Sequence, residues 1–177
     1  MNVDLRRRRF ELLAPGWIEA MRRYLARRTD PATADDVLSE TLLVCWRRLD
    51  EVPEDHLPWV YAVARNCLAN AERGRRRQER LVASISAVDP PAQAVDGPGE
   101  GDDDLAAALE GLRTEDAELL RLWAWEDLTP AQIAVVLGIS ANAASIRLHR
   151  AKQKLREELR KLEDTGGHEE SKEGRRP

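Results

Sequence analysis

Cysteine is nearly absent from this chain: Cys45 and Cys67 are the only two in 177 residues. Neither belongs to a CxxC pair or stands near a histidine at ligand spacing, so neither a zinc site nor a disulfide framework is expected. Both fall on apolar helical faces, where cysteine serves as a small buried hydrophobe. Histidine is nearly as scarce, with three. His56, His149 and His168 lie far apart, with no paired carboxylates or Ser/His/Asp arrangement around them. No local signature of an enzyme follows, and no metal or cofactor is expected. Alternating β-branched runs long enough for a sheet are missing. No stretch approaches ~18 uncharged apolar residues, so no membrane insertion is expected. The basic cluster Arg6–Arg9 is not followed by an apolar segment, so it does not read as a secretory signal. The expected location is the cytoplasm.

What is present is Ala, Leu, Arg and Glu, the composition of an all-α protein. Net charge is −4, which would count against nucleic-acid binding if it were evenly spread. It is not. Residues 1–80 hold 16 basic and 13 acidic side chains, and residues 128–164 hold 7 and 4. Between them, residues 81–104 carry 6 acidic side chains and no basic one, and 105–127 carry 6 against 2. Local patches set phosphate affinity, so two basic regions on an acidic tether point to contact with nucleic acid at two places. The chain therefore divides into two small helical domains, residues 1–83 and 105–163. A flexible acidic linker, 84–104, joins them, and a disordered tail, 164–177, follows.

In the first domain a helix is expected after Pro15, with Trp17 or Ile18, Met21 and Leu25 facing inward and Arg22, Arg23, Arg27 and Arg28 facing water. Asp30-Pro31 ends it, and Thr33 is the expected cap of the next helix, with Asp35 and Asp36 in its first turn. Leu38, Leu42, Cys45 and Leu49 form the inward face of that helix, flanked by Trp46. Asp36, Ser39, Glu40, Leu43 and Arg47 lie outside. After an acidic loop, Asp50 to Leu57, a third helix begins at Pro58. Trp59, Val63, Cys67 and Ala71 recur every fourth residue on its core side. Asn66, Asn70, Arg73 and Arg77 share another face, and asparagine with arginine along one stripe suits base edges beside phosphates. Gly74 is expected to loosen this helix ahead of Arg75, Arg76 and Arg77.

The second domain opens with Leu105, Leu109 and Leu112, followed by a helix from about Glu115 to Trp125 that places Leu119, Leu122 and Trp123 under what comes next. Thr129 and Gln132 form a capping box with Pro130 at the first helical position. Ile133, Ala134 and Leu137 make the apolar face of a short helix. Gly138 suits the left-handed residue that ends it, Ile139 plugs the corner, and Ser140 caps a second helix. In that helix Ala144, Leu148, Ala151 and Leu155 face inward, while Ser145, Arg147, His149, Arg150, Lys152 and Lys154 do not. This is the layout of a helix-turn-helix, whose second helix enters the major groove. The bland reading is a helical hairpin with a solvated basic face; the compact turn and small Ala134, which permits close crossing, favour DNA.

Two blocks resemble the extracytoplasmic-function (ECF) group of bacterial RNA polymerase sigma factors. One is ADDVLSETLLVCWRRL with PWVYAVARNCLANAERGRRR. The other is LRTEDAELLRLWAWEDLTPAQIAVVLGISANAASIRLHRAKQKLREEL. The resemblance implies a sigma region-two domain that meets core RNA polymerase and the minus-ten element. It also implies a sigma region-four domain that meets the minus-thirty-five element. Asp36, Ser39, Glu40 and Leu43 fall on the helix that docks on polymerase. Asn66, Asn70, Arg73, Arg76 and Arg77 fall toward the minus-ten region, and the loop from Asp50 to Leu57 matches the segment that pockets a flipped base. Ser140, Asn142, Ser145, Ile146, Arg147, His149 and Arg150 fall on the recognition helix. The implied partners are core RNA polymerase, promoter DNA and an anti-sigma factor. Four positions depart from the family's habit. Ser39 stands where Gln is common, Val52 where an aromatic is common, Ile146 where a polar residue is common and Ala143 where Thr is common. The alternatives are a stand-alone helix-turn-helix repressor or activator, and a pure interaction protein.

Overall fold

The computed structural model describes residues 3–85 and 103–169. Among them are seven α-helices and no strand: α1 (Val3–Ala26), α2 (Pro31–Arg47), α3 (His56–Ile85), α4 (Asp103–Glu110), α5 (Thr114–Ala124), α6 (Pro130–Leu137) and α7 (Ala141–Glu169). The chain falls into two compact units, one built from α1–α3 and one from α4–α7. Most of the expected linker lies outside the described residues. At its edges it is helical, since α3 runs to Ile85 and α4 opens at Asp103.

In the first unit the apolar spacing is realised as a core. Trp17, Met21 and Leu25 of α1 are fully buried, and Tyr24 joins them against Tyr61 at 5.3 Å between ring centroids. Contrary to expectation, α1 starts at Val3 and holds Pro15 in its interior. Proline has no N–H to offer the Glu11 carbonyl, a loss that normally kinks or ends a helix. The earlier turns persist because of what they touch. Arg6 donates to the Trp46 carbonyl and Arg9 to the Val52 carbonyl, each at 2.9 Å. Phe10 sets its ring edge-on between Trp17 and Trp46, at 5.9 and 5.3 Å. Arg27 and Arg28 are half-buried, with the Arg28 guanidinium 3.7 Å from the Tyr24 ring centroid.

The cap of α2 is Asp30, whose carboxylate accepts the Thr33 N–H at 3.0 Å. Thr33 is the donor three residues on, and Asp35 and Asp36 fall beyond the first turn. The Thr33 hydroxyl also donates to Asp30, and this pair of bonds holds the Asp30 carboxyl below its ordinary range. Leu38 and Cys45 are buried on α2, as is Leu49 in the 3-10 turn that follows, Leu49–Glu51. Leu42 and Trp46 are half-buried. On α3, Val60, Tyr61, Val63, Ala64, Cys67 and Leu68 complete the core, while Trp59 is half-buried under the Arg48 guanidinium. Burial pushes the Cys45 thiol up to about 12, with Cys67 adding to the effect, so both remain protonated packing groups. The third helix starts at His56, two residues before the expected Pro58, and passes through Gly74 unbroken.

The second unit buries Leu109 of α4, Leu119, Leu120 and Leu122 of α5, Ile133, Ala134 and Val136 of α6, and Ala144, Leu148 and Ala151 of α7. Trp123 is the exception to the expected core, being 43% exposed. It lies on the α5 side turned toward water, where Lys152 covers its ring. The last helix continues through 164–169, inside the stretch expected to be disordered; 170–177 lie outside the described residues.

Candidate nucleic-acid and protein-binding faces

The helix-turn-helix is assembled by local chemistry. Thr129 Oγ1 accepts the Gln132 N–H at 3.3 Å while Gln132 Oε1 accepts the Thr129 N–H at 3.0 Å, closing the capping box. Gly138 ends α6 at φ +65°, a left-handed conformation that side chains with a Cβ rarely adopt. The Ile139 N–H then reaches back to the Ala134 carbonyl at 3.0 Å. Ser140 Oγ accepts the Ala143 N–H at 3.1 Å, starting α7. The axes of α6 and α7 are bent by 105°, within the range of DNA-binding pairs.

Ser140, Asn142, Ser145, Ile146, Arg147, His149 and Arg150 are all exposed along the first turns of α7. Ser140 is partly committed, since its oxygen is the helix cap. Lys152 and Lys154, by contrast, turn back onto their own unit. The Lys152 ammonium lies 3.4 Å from the Trp123 ring centroid, and Lys154 donates to Asp116 at 2.6 Å. Sorting α7 by charge misses Gln153, which is exposed one turn beyond His149. The periodicity alone finds it.

On α3, Asn66, Asn70, Arg73, Arg76 and Arg77 are exposed together. Arg73 donates to the Asn70 amide oxygen, and both side chains are exposed. Asn70, Arg73, Arg76 and Arg77 line a shallow depression with Arg80, a residue that sequence reasoning passes over although it continues the same spacing. On α2, Asp36, Ser39, Glu40 and Leu43 form one exposed face, Leu43 being 46% exposed. Ser39 is back-bonded to the Asp35 carbonyl at 2.9 Å, so its hydroxyl proton is engaged.

The loop between α2 and α3 is shorter and more tightly held than its composition suggests. Val52 is buried and its carbonyl is taken by Arg9, so its side chain is not offered to a ligand. Asp50 is paired with Arg6, and Glu51 with Arg48. The Arg48 hydrogen bond, with its charge, holds the Glu51 carboxyl below its ordinary range. At the far end the Trp17 indole N–H donates to Nδ1 of His56 at 3.1 Å. Asp50, Glu51, Pro53, Glu54 and Asp55 form the exposed rim. Among the described residues no three metal-ligating side chains are grouped, and no single helix is long and apolar enough to cross a membrane.

The chain is similar to known proteins. The family of sigma-70, region 4, matches residues 102–155. Over 147 residues the chain is 33% identical to the ECF RNA polymerase sigma factor SigL of Mycobacterium tuberculosis, spanning 79% of this chain and 82% of that one. Over 139 residues it is 34% identical to the RNA polymerase sigma factor CarQ of Myxococcus xanthus, spanning 75% and 78%. Among solved structures it is similar to a chain in the complex of sigma factor RpoE with anti-sigma factor NepR from Bartonella quintana. That likeness has a TM-score of 0.57 at 20% identity and covers 87% of this chain and 96% of that one. It is also similar to a chain of the PhyRSL–NepR complex from Sphingomonas sp. Fr1, with a TM-score of 0.60, 19% identity and 92% of each chain covered. At such identities these two likenesses concern the fold.

Proposed function

Because the chain belongs to the extracytoplasmic-function group of RNA polymerase sigma factors, we propose that its two units divide the labour of promoter choice between them. The protein binds core RNA polymerase and directs promoter recognition and transcription initiation. The second unit anchors the complex at the minus-thirty-five element through α7, by base-edge contacts and neutralised phosphates. The first unit docks on polymerase through Asp36, Ser39, Glu40 and Leu43. It holds the minus-ten region with Asn66, Asn70, Arg73, Arg76 and Arg77, to which Arg80 is added. The rim of the α2–α3 loop receives a base extruded from the opening duplex, and the contacts offset an unpairing cost on the order of a few kcal/mol.

The observation that carries this reading is the pair of exposed Asn/Arg faces, Asn66–Arg80 and Asn142–Arg150, on two separately folded units. A stand-alone helix-turn-helix repressor or activator has no use for the first of them. The role is that of a specificity subunit and not of an enzyme, and its place is the cytoplasm, where its polymerase works. An anti-sigma factor is a further partner, by analogy with the complex of RpoE and NepR.

Paired variants test the division. Arg150→Ala should weaken binding to upstream duplex by roughly tenfold, one good base contact, and leave association with polymerase unchanged. Glu40→Lys should abolish association with polymerase and leave the fold intact, as Glu40 is exposed. Equal loss of both activities in either variant contradicts the assignment.

A further inference from the structure

The recognition helix presents one line of side chains directly away from the body of its unit. Ala144, Leu148 and Ala151 are buried to 0%, 4% and 0% exposure and mark the inner face. A helix turns by about 100° per residue, so the opposite line runs through Asn142, Ile146 and Gln153, bordered by His149 and Arg150. All five are exposed. Ser145 and Arg147 lie toward the two flanks, where the phosphate backbones of a groove pass.

At the middle of this otherwise polar line Ile146 leaves 44% of its surface in water. A branched hydrocarbon contributes nothing to phosphate binding and cannot hydrogen-bond to a base edge. The major groove offers it one apolar partner, the C5-methyl group of thymine. Its neighbour one turn earlier, Asn142, carries the donor–acceptor pair that matches N7 and N6 of adenine. We propose that Ile146 is a specificity-determining residue that reads a thymine methyl group in the upstream promoter element. The inference rests on the assignment of α7 to that element and names part of what it reads.

The test uses the full chain bound to core polymerase. Duplexes randomised over the upstream element are selected for binding, and each thymidine of the enriched element is then replaced singly by deoxyuridine, which removes only the methyl group. One replacement should weaken binding about fourfold, the worth of one buried methyl-sized group. Ile146→Ala should lose about as much on the thymidine duplex and show no further loss on the deoxyuridine one, while Ile146→Val keeps the sensitivity. An enriched element indifferent to every methyl deletion overturns the inference, as does a sensitivity that survives in Ile146→Ala. Normal duplex binding by Ile146→Ala with impaired polymerase association also overturns it and assigns the residue to a protein partner. If no element is enriched at all, the assignment of α7 fails and this inference with it.

Discussion

Lys154 of α7 donates a hydrogen bond to Asp116 of α5 across 2.6 Å, and Asp116 is 5% exposed. Arg113, three residues before Asp116, adds a second bond at 3.1 Å. A lysine in the middle of a basic helix is thus paired within its own domain, tying α7 to α5. The carboxylate is buried but paired, the condition under which a buried charge is tolerated.

The pair has a pH signature. Desolvation pushes the Asp116 carboxyl up, but the hydrogen bonds and charges of Lys154 and Arg113 outweigh it and hold the group below the usual aspartate range. A depressed folded-state value gives stability that is present above the unfolded-state value and lost as pH falls through the folded one. Asp116→Asn should therefore destabilise the α4–α7 unit near neutral pH by about 1–2 kcal/mol. Lys154 can rehydrate, which keeps the loss below the ~3–5 kcal/mol of a fully buried pair. Denaturant unfolding should show the gap between wild type and variant closing as pH is lowered through the acid range. A gap that persists in acid contradicts the pairing as its cause.

The lysines of α7 should separate from Arg147 in salt titrations of DNA binding. Replacing Arg147 with Ala should reduce the slope of log affinity against log salt by ~1, the change expected when one phosphate is no longer neutralised. Lys152→Ala and Lys154→Ala should leave the slope unchanged, because their charges rest on Trp123 and Asp116. Slopes that fall equally for all three would place the lysines on phosphate.

Arg9 should control the order of the α2–α3 loop. Its guanidinium is half-buried against the Val52 carbonyl, so Arg9→Ala removes a charged donor from a buried acceptor. The expected cost is ~1 kcal/mol, or a fall in Tm of roughly 4–8 °C for a domain of this size. Single-stranded minus-ten DNA should bind less tightly, and upstream duplex should be unaffected. An unchanged Tm contradicts the bond's importance.

The helix-turn-helix is legible residue by residue because everything that builds it is local. The Thr129–Gln132 box, the left-handed Gly138 and the Ser140 cap each act within a few residues. The start of α1 is not legible, since the partners that stabilise Arg6, Arg9 and Phe10 lie about forty residues away in sequence. Choosing Thr33 puts the α2 cap three residues late, because Asp30 and Thr33 both suit a cap. Pro31, favoured at the first helical position, is the signal that decides for Asp30. Size alone assigns Trp123 to the core, whereas Lys152 gives its exposed ring a cationic partner. The exposed faces follow from spacing, and Arg80 and Gln153 escape only where charge and clustering are weighed above it.

Transcription by purified core polymerase, with and without the chain, over a library of promoter fragments is the measurement closest to the central claim. The prediction is a new set of start sites appearing only with the chain, each preceded by two shared elements at a fixed spacing. Dependence on the upstream element should weaken in Arg150→Ala. A chain that neither joins the core enzyme nor moves any start site would contradict it.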